Sequence, residues 1–342
     1  MKILRFLLYP FAIIYDVVTR IRNFCYNAGI FKETSFEIPV IVVGNLSVGG
    51  TGKTPQIEYL IPLLKETYKT AVLSRGYKRK TEGYLLLNNS HSAEDVGDEP
   101  LQYFKKFTNI SVAVDANRVV GITKLIEDKS PEVVLLDDAY QHRKVKGSFY
   151  ILLTKYDDLF VDDFLLPTGN LRESRRGAKR ADVILVTKCP ENLSKNAQNK
   201  IEQKLSKYQK KVFFTTISYD DKTSGKNEVL IDDLKDYDVL LVTGIANPTP
   251  LLSFLNDKKV NFKHLKFSDH HHFSNQEIDF IKDEYSKLSS SKKILLTTEK
   301  DYVRLKNKME EISFLGIRTS FINKKEEFNL MINSHIKQNQ RF

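Results

Sequence analysis

A glycine-rich segment with the sequence SVGGTGKT is the first candidate for chemistry in this chain. Its glycines free backbone N–H groups to point at phosphate oxygens, and the start of the following helix adds its positive end. The lysine can reach a transferring phosphate, and the last threonine can offer its hydroxyl to Mg²⁺. This pattern predicts a nucleotide phosphate site, rather than an ordinary glycine-rich loop, formed by Ser47, Val48, Gly49, Gly50, Thr51, Gly52, Lys53 and Thr54.

The first position of this loop is unusual, because the common pattern has a glycine where this chain has Ser47. A small serine can serve there if its φ is negative. The neighbouring sequence favours the site: an apolar strand pattern at 40–43 precedes the loop, and apolar residues at helical spacing follow at 57–64. Pro62 lies inside that helix pattern and predicts a kink.

Two acidic segments supply candidate metal ligands and a candidate base. An apolar run ends on Asp137 and Asp138, and carboxylates at a strand end beside a phosphate loop suit Mg²⁺. The alternative is that one of them caps the next helix. The segment EDVGDEP, residues 94–100, offers carboxylates that could take the proton of an acceptor hydroxyl. On its own it would be a solvated acidic turn.

A histidine-rich segment, KFSDHHHF at 266–273, places Asp269 beside three histidines. Three successive histidines cannot all face one zinc ion from a regular element, so a zinc site is disfavoured. A single histidine, oriented by a carboxylate and working across a cleft between two domains, is the sharper hypothesis.

The charge balance favours anionic partners, because the chain of 342 residues carries 53 Lys and Arg against 43 Asp and Glu, a net charge of +10. Two basic clusters could bind substrate phosphate, lipid headgroups or a nucleic-acid backbone, or could be solvated faces. No recognised nucleic-acid module accompanies them, which argues against nucleic acid. The clusters are Arg75, Lys78, Arg79 and Lys80, and Arg172, Arg175, Arg176, Lys179 and Arg180.

The N-terminal 32 residues combine basic side chains with many large apolar ones. The longest uncharged run, residues 6–15, is too short to span a bilayer, and no small-residue cleavage site follows it. The segment predicts a helix or helical pair lying in a membrane interface, on the anionic leaflet. The alternative is a helix that packs on the protein core.

These residues need a scaffold, and short apolar runs that alternate with helical patterns predict a parallel sheet with crossover helices. The length suits about two domains, and a second α/β pattern follows a turn-rich segment at 218–228. Cys25 and Cys189 lack metal-ligand spacing and indicate a reducing compartment. The strands predicted in the first part are Val40–Val43, Thr70–Leu73, Ile110–Val114, Glu132–Leu136, Phe149–Leu153 and Asp182–Thr187.

In their order along the chain, these motifs resemble the tetraacyldisaccharide 4'-kinases, the lipid A kinases of Gram-negative envelope synthesis. The ordered set is specific and covers nearly the whole chain, although no single short piece is decisive. The family also keeps a serine at the start of the phosphate loop. The matching segments are LLYPFAIIYDVVTRIRN, VGNLSVGGTGKTP, LSRGYKRK, VGDEP, VDANR, LLDDAYQHR, LLPTGNLRES, ADVILVTK, TGIANP, FSDHHHF and TTEKDYVRL.

The resemblance implies transfer of the γ-phosphate of ATP, with Mg²⁺, to the 4'-hydroxyl of a tetraacylated glucosamine disaccharide 1-phosphate in lipid A biosynthesis. It implies an α/β fold: a P-loop NTPase-like α/β/α domain, a second, smaller α/β domain, and an N-terminal helix on the cytoplasmic face of the inner membrane. We expect these at residues 33–218, 219–342 and 1–32. No nucleic acid and no obligate protein partner are expected.

The resemblance also implies roles for residues at matching positions. Asp98 is expected to be the base, His270 to pair with it, and Lys53 to hold the ATP phosphates. The candidate metal ligands are Thr54, Glu99, Asp137 and Asp138. The polar positions expected near the substrate are Arg75, Asn117, Arg118, Gln141, His142, Arg172 and Glu173.

The residues alone leave two other classes of function open. A nucleotide switch that slowly hydrolyses ATP or GTP would explain the loop and Asp137, but not the N-terminal segment together with SDHHHF, and TKCP lacks the aspartate that would read guanine. A nucleic-acid-binding ATPase would use only the net charge and the loop. We therefore favour the kinase.

Overall fold

The computed structural model describes residues 5–339, which form an α/β fold with two mixed sheets. Strands β1–β8 and β14 form the larger sheet, in the order β14-β8-β7-β6-β1-β5-β2-β4-β3, and β9–β13 form the smaller one, in the order β11-β10-β12-β13-β9. The strands are β1 (Val40–Asn45), β2 (Thr70–Ser74), β3 (Leu85–Leu86), β4 (Ser111–Val114), β5 (Val133–Asp137), β6 (Phe149–Lys155), β7 (Val183–Thr187), β8 (Lys211–Tyr219), β9 (Ser224–Gly225), β10 (Asp238–Thr243), β11 (Asn261–Lys266), β12 (Lys293–Thr298), β13 (Ile312–Leu315) and β14 (Ile317–Phe321).

Helices connect most of these strands, and every strand predicted from the sequence is confirmed to within one residue or two. Pro62 lies inside the second helix, as the sequence predicts. The helices are α1 (Tyr9–Asn27), α2 (Lys53–Lys65), α3 (Ala93–Val96), α4 (Asp98–Lys106), α5 (Arg118–Lys129), α6 (Lys195–Leu205), α7 (Thr249–Asp257), α8 (Asn275–Ser286), α9 (Glu299–Leu305) and α10 (Lys325–Asn339).

The centre of the larger sheet is buried on both faces, as its continuous apolar strands require. Because side chains alternate along a strand, Ile41 and Val43 of β1 pack in the same cluster as the apolar face of α2. Val40 and Val42 point to the other face, where they share a cluster with residues of α5. The parallel pairing of β1 with β5 and β6 therefore brings the carboxyl ends of the central strands to one edge.

The C-terminal segment returns to the larger sheet. Strand β14 pairs antiparallel with β8, and Phe328 and Ile332 of α10 lie in the same buried cluster as α2. The sequence-based division at residue 218 differs here, because it assigns residues 317–339 to the smaller domain. The amphipathic pattern of α10 does not say which sheet the helix covers, so the return could not be read locally.

Helix α1 exposes most of its apolar side chains. Ala12 and Thr19 are its buried residues, whereas Ile14 and Phe24 are more than half exposed. Polar groups attach this helix to the segment between β6 and β7 of the larger sheet: Tyr15 Oη donates to the carbonyl of Arg172 over 2.7 Å. The alternative of a core-packing helix therefore does not describe it. Within residues 5–339, no helix is both long and apolar enough to cross a membrane; Met1 and Lys2 lie outside the described residues.

Candidate active site

The glycine-rich loop joins the end of β1 to the start of α2, at the edge where the central strands end. Gly49 and Gly52 have φ angles of 97° and 89°, in the left-handed region where a side chain would be strained. Ser47 does not lie in that region, so the loop does not need a glycine there. The backbone thus has the form that the sequence predicts.

Neighbouring elements hold this loop in place. Asn45 Nδ2 donates to Thr51 Oγ1 over 2.8 Å, and Thr187 Oγ1, at the end of β7, donates to the Thr51 carbonyl over 2.7 Å. On the opposite side, the Val48 N–H donates to the Asn170 carbonyl over 2.8 Å. These hydrogen bonds fix the backbone of the loop, which is the property that an anion cradle needs.

Lys53, at the first turn of α2, faces Asp138 at the end of β5. Its Nζ lies 3.6 Å from Asp138 Oδ2, and Arg172 Nη2 donates to Asp138 Oδ1 over 2.9 Å. Burial opposes ionisation of Asp138, but Lys53 and Arg172 outweigh it and lower the pKa of this carboxyl. Asp138 is therefore an anion that aligns two cations at the mouth of the loop.

Asp137, one residue earlier, has a different environment. It is buried, its Oδ2 accepts from Ser74 Oγ over 3.2 Å, and its Oδ1 has no hydrogen-bond partner among the described residues. Burial, together with the charge of Asp138, raises the pKa of Asp137 to about 6. A buried carboxylate oxygen without a partner beside a phosphate loop is a suitable ligand for a hard cation. Within residues 5–339, however, no group of three or more His, Cys, Asp or Glu side chains is arranged to hold a metal.

Asp98 and His270 meet across the boundary between the two sheets, although 172 positions separate them. Asp98 begins α4, beside the larger sheet, and its Oδ2 lies 2.8 Å from His270 Nδ1. Arg304, on α9, donates from Nε to Asp98 Oδ1 over 2.7 Å and from Nη2 to Oδ2. Burial raises the pKa of Asp98, but the hydrogen bonds from His270 and Arg304 outweigh it and hold this pKa well below its usual range.

The other ring nitrogen of His270 faces a lysine. Lys300 Nζ lies 3.0 Å from His270 Nε2, 3.6 Å from Glu99 Oε1 and 3.8 Å from Asp269 Oδ1. Because an ammonium can only donate and the Asp98 carboxylate accepts, these two contacts favour the tautomer with its proton on Nδ1, while Arg304 Nη2, another donor, also lies 3.0 Å from Nδ1. The orienting carboxylate of His270 is thus Asp98 rather than the adjacent Asp269, whose Oδ2 is 3.9 Å from Nε2.

The two remaining histidines have different partners, as expected if the three cannot share one metal. His271 Nε2 lies 2.8 Å from Glu277 Oε1, and His272 Nδ1 lies 3.9 Å from Glu94 Oε1. The imidazoles of 270–272 therefore point to three separate carboxylates.

A basic recess follows strands β2, β4 and β5. Arg118 is buried and donates from Nη1 to the Ala116 carbonyl over 3.1 Å, whereas Arg75 and Asn117 are exposed. Burial, followed by the charges of Arg118 and other cations, lowers the pKa of His142 to about 4, so this imidazole is neutral at pH 7. The recess combines fixed positive charge with a neutral ring, which suits a phosphate-bearing ligand.

Glu173 is fully buried and does not face the open cleft. Its Oε1 accepts from Arg180 Nη2 over 2.7 Å and from Gln141 Nε2 over 3.1 Å, and its Oε2 accepts from Asn23 Nδ2, on α1, over 3.0 Å. Gln141 Nε2 also donates to the Asn45 carbonyl over 2.8 Å. Of the positions predicted near the substrate, Glu173 and Gln141 thus connect α1 to the phosphate loop.

The comparison with known families decides among the classes of function. A sequence model described as LpxK, tetraacyldisaccharide-1-P 4'-kinase, matches residues 4–337, nearly the whole chain. This chain belongs to the tetraacyldisaccharide-1-P 4'-kinase family.

Relatives within this kinase family match over their full length. The tetraacyldisaccharide 4'-kinase of Flavobacterium johnsoniae is 53% identical over 99% of this chain and 99% of its own length. That of Bacteroides thetaiotaomicron is 43% identical over 98% of this chain and 94% of its own. A crystal structure of LpxK from Aquifex aeolicus, described as an "apo" form in complex with ATP, has a TM-score of 0.79, with 31% identity over 97% of this chain and 99% of that one.

Sequence reasoning assigned no role to two residues that this member of the kinase family places at the centre of the site, Arg304 and Lys300. Both lie in the segment TTEKDYVRL, which the resemblance includes. They are four residues apart on α9, so they lie on the same face of that helix. Two basic residues four positions apart, directly after a predicted strand, are the sequence feature from which they could have been found.

Proposed function

We propose that this chain transfers the γ-phosphate of ATP to the 4'-hydroxyl of a tetraacylated glucosamine disaccharide 1-phosphate, a step of lipid A biosynthesis. The observation that carries the proposal is the meeting of Asp98 and His270 across the two sheets. A slow nucleotide switch can position its attacking water without a general base. A kinase with a hydroxyl acceptor does need one.

We further propose that the larger domain is a P-loop NTPase-like α/β/α domain that holds ATP. The support is the strand-loop-helix order of β1, 47–52 and α2, together with the left-handed glycines and the braced loop. Backbone N–H groups of the loop and the Lys53 ammonium would bind the phosphates of ATP. Arg172, which Asp138 orients, would face the developing negative charge on the transferring group.

The proposed metal is Mg²⁺, and the residues present fit it. Asp137 offers a buried carboxylate oxygen without a hydrogen-bond partner among the described residues, and the charges of Asp138 and Glu99 act on that carboxyl. Thr54, Glu99 and Asp138 are the other proposed ligands. When bound, Mg²⁺ would neutralise charge on the phosphates of ATP and hold them in line with the acceptor.

The acceptor hydroxyl would lose its proton to the Asp98–His270 pair. The resemblance makes Asp98 the base, yet both of its oxygens already accept hydrogen bonds from Arg304 and His270. Because Asp98 and His270 share a hydrogen bond, we assign acceptance of the proton to the pair rather than to one member. Lys300 would help to keep His270 in the tautomer that donates to Asp98.

The acylated substrate would reach the cleft from a membrane surface. Helix α1 exposes an apolar face beside basic residues, as an interfacial helix does, and its polar side contacts the larger domain. We propose that it lies on the cytoplasmic face of the inner membrane. The residues proposed to contact the substrate headgroup are Arg75, Asn117, Arg118 and His142, with Arg172, Gln141 and Glu173 behind them.

A transfer assay tests this proposal. Purified protein is incubated with labelled ATP, Mg²⁺, detergent and an acylated glucosamine disaccharide 1-phosphate, and label in the lipid is measured. We expect labelled lipid from the wild-type protein and none from Lys53→Ala. Absence of labelled lipid, together with nucleotide hydrolysis that a protein or nucleic acid stimulates, would instead support the switch.

A further inference from the structure

The guanidinium of Arg304 holds the carboxylate of Asp98 with two donors. Its Nε and Nη2 reach Oδ1 and Oδ2 respectively, while Nη1 donates to the His271 carbonyl over 3.1 Å. A planar fork that meets both oxygens fixes the rotation of the carboxylate as well as its position. With that rotation fixed, Oδ2 is the oxygen that His270 Nδ1 meets at 2.8 Å.

This contact is shielded from solvent. The side chains of Arg304 and Asp98 are 8% and 10% exposed, so the pair is neither screened nor loosened by water in the way that surface ion pairs are. In such surroundings, the loss of one partner leaves the other charge without compensation.

A second ion cluster joins helices α4 and α9 at the ends away from Asp98 and Arg304. Lys106, the last residue of α4, donates to Glu299 Oε2, at the start of α9, over 2.8 Å, and to Glu58 Oε2, on α2, over 2.9 Å. Asp98 begins α4 and Arg304 lies near the end of α9. The two helices therefore touch through charged groups at both ends, which determines where Arg304 meets Asp98.

We propose that Arg304 is a positioning residue for phosphoryl transfer, acting through Asp98. It rests on the proposed kinase function, in which the Asp98–His270 pair accepts the proton of the lipid hydroxyl. Arg304 holds the carboxylate in the rotation that His270 requires, and it does so from the smaller domain. The alternative is that Arg304 only attaches α9 to α4, without effect on the chemistry beyond the fold.

A double-mutant cycle separates these two roles. Lipid phosphorylation, ATP affinity and Tm are measured for wild type, Arg304→Met, Asp98→Asn and the double variant. If Arg304 acts through Asp98, Arg304→Met lowers kcat about 100-fold with little change in the Kd for ATP, because a misplaced reacting group costs about that much. The double variant is then within about threefold of Asp98→Asn.

Multiplied losses in the double variant, or an Arg304→Met enzyme with wild-type kcat, would overturn the inference while leaving the kinase function intact. Failure of the wild-type protein to label the lipid would instead overturn the proposed function and this inference with it. The matched control is Arg318→Met, which removes an exposed arginine of β14 that pairs with Asp221. Its kcat should equal that of wild type.

Arg304→Lys keeps the inference testable if Arg304→Met does not fold. An ammonium retains the charge but cannot reach both carboxylate oxygens as a fork. We expect a kcat about tenfold below wild type, an unchanged Kd for ATP and a nearly unchanged Tm. A wild-type kcat in this folded variant would show that the fork has no role in the chemistry.

Discussion

At the scale of single residues, the neighbours Asp137 and Asp138 differ in what surrounds them. Asp138 is stabilised as an anion by Lys53 and Arg172, whereas Asp137 is buried with an oxygen that has no hydrogen-bond partner among the described residues. The charge of Asp138 therefore stabilises the folded protein, whereas the charge of Asp137 destabilises it. This is the pattern of a site whose ligand supplies the missing partner.

Substitution of Asp137 by Asn should separate stability from function. Removing the buried charge should raise the Tm of the metal-free protein by roughly 2–4 °C, about 1 kcal/mol, while lipid phosphorylation falls at least about 100-fold. Thermal unfolding in a chelating buffer and the transfer assay measure the two effects. The adjacent control, Asp138→Asn, should lower Tm because it leaves Lys53 and Arg172 without their carboxylate; a rise in both variants would contradict this account.

Substitutions in the Asp98–His270 pair should lower catalysis without weakening nucleotide binding. Asp98→Asn and His270→Ala are each expected to lower kcat by about 10²–10⁴, with the Kd for ATP nearly unchanged, because neither side chain belongs to the phosphate loop. Lys53→Ala should weaken ATP binding itself. Steady-state kinetics and a nucleotide-binding titration distinguish these outcomes, and near-normal turnover in Asp98→Asn would show that this carboxylate is not needed.

At the scale of elements, α2, α4 and α9 share one buried ion cluster. Glu58 and Glu299 both contact Lys106, and Gln102 Nε2 donates to Glu58 Oε1 over 2.8 Å. Burial, together with the nearby charge of Glu299, raises the pKa of Glu58 to about 7, even though Lys106 opposes the shift. One lysine between two carboxylates thus leaves one negative charge without compensation, which is unfavourable in the protein interior.

The stability of the protein should consequently depend on Glu58 between mildly acidic and neutral pH. Because the folded-state pKa of about 7 exceeds the ordinary value of 4.5, the folded state binds more protons in this window, and stability from this group falls as pH rises through it. The contribution is at most about 3 kcal/mol. Glu58→Gln should make the fall smaller in chemical unfolding measured from pH 5 to pH 8, while the raised pKa values of Asp137 and Glu299 keep part of it in place.

A surface control sharpens this test. Glu327 forms an exposed ion pair with Lys211 and has a lowered pKa, so Glu327→Gln should leave the fall of stability between pH 5 and pH 8 in place. An identical pH profile for wild type and Glu58→Gln would mean that Glu58 does not titrate in this range.

The exposed apolar face of helix α1 predicts binding to anionic membranes. Ile14 and Ile21 lie seven residues apart on one face of the helix and are 62% and 58% exposed. Replacing both with Ser should weaken binding to anionic phospholipid vesicles about tenfold or more, because each loses apolar area that the interface would bury. Sedimentation with vesicles measures the effect. Phe280→Ser, at an exposed apolar site on α8, is the control and should bind as wild type does.

At the scale of the whole molecule, local patterns predicted the strands of the larger sheet but not the addition of the C-terminal strand β14 to its edge. The central strands are recognisable because both faces of each are buried, which leaves continuous apolar runs. Strand β14, with the sequence IRTSF, is a partly exposed edge strand and has no such run. Its pairing with β8 depends on contacts about 100 residues apart, which no local pattern encodes.

The candidate site likewise has one part that the local sequence predicts and another part that it does not. The loop at 47–54 is contiguous, so its sequence predicts its backbone. Asp98 and His270 could be proposed as a pair only through the family resemblance, because 172 positions separate them. Arg304 went unassigned since its partner is 206 positions away, and an arginine in a short helix is most often a surface residue.

A short line of side chains joins α1 to the nucleotide loop: Asn23 to Glu173, Glu173 to Gln141, Gln141 to the Asn45 carbonyl, and Asn45 to Thr51. Helix α1, the proposed anchor, and the phosphate loop are thus mechanically one piece. A lipid tag or a foreign anchor peptide in place of α1 would return the protein to a bilayer without restoring that line. Tethering alone should then recover residence at the membrane but not full turnover.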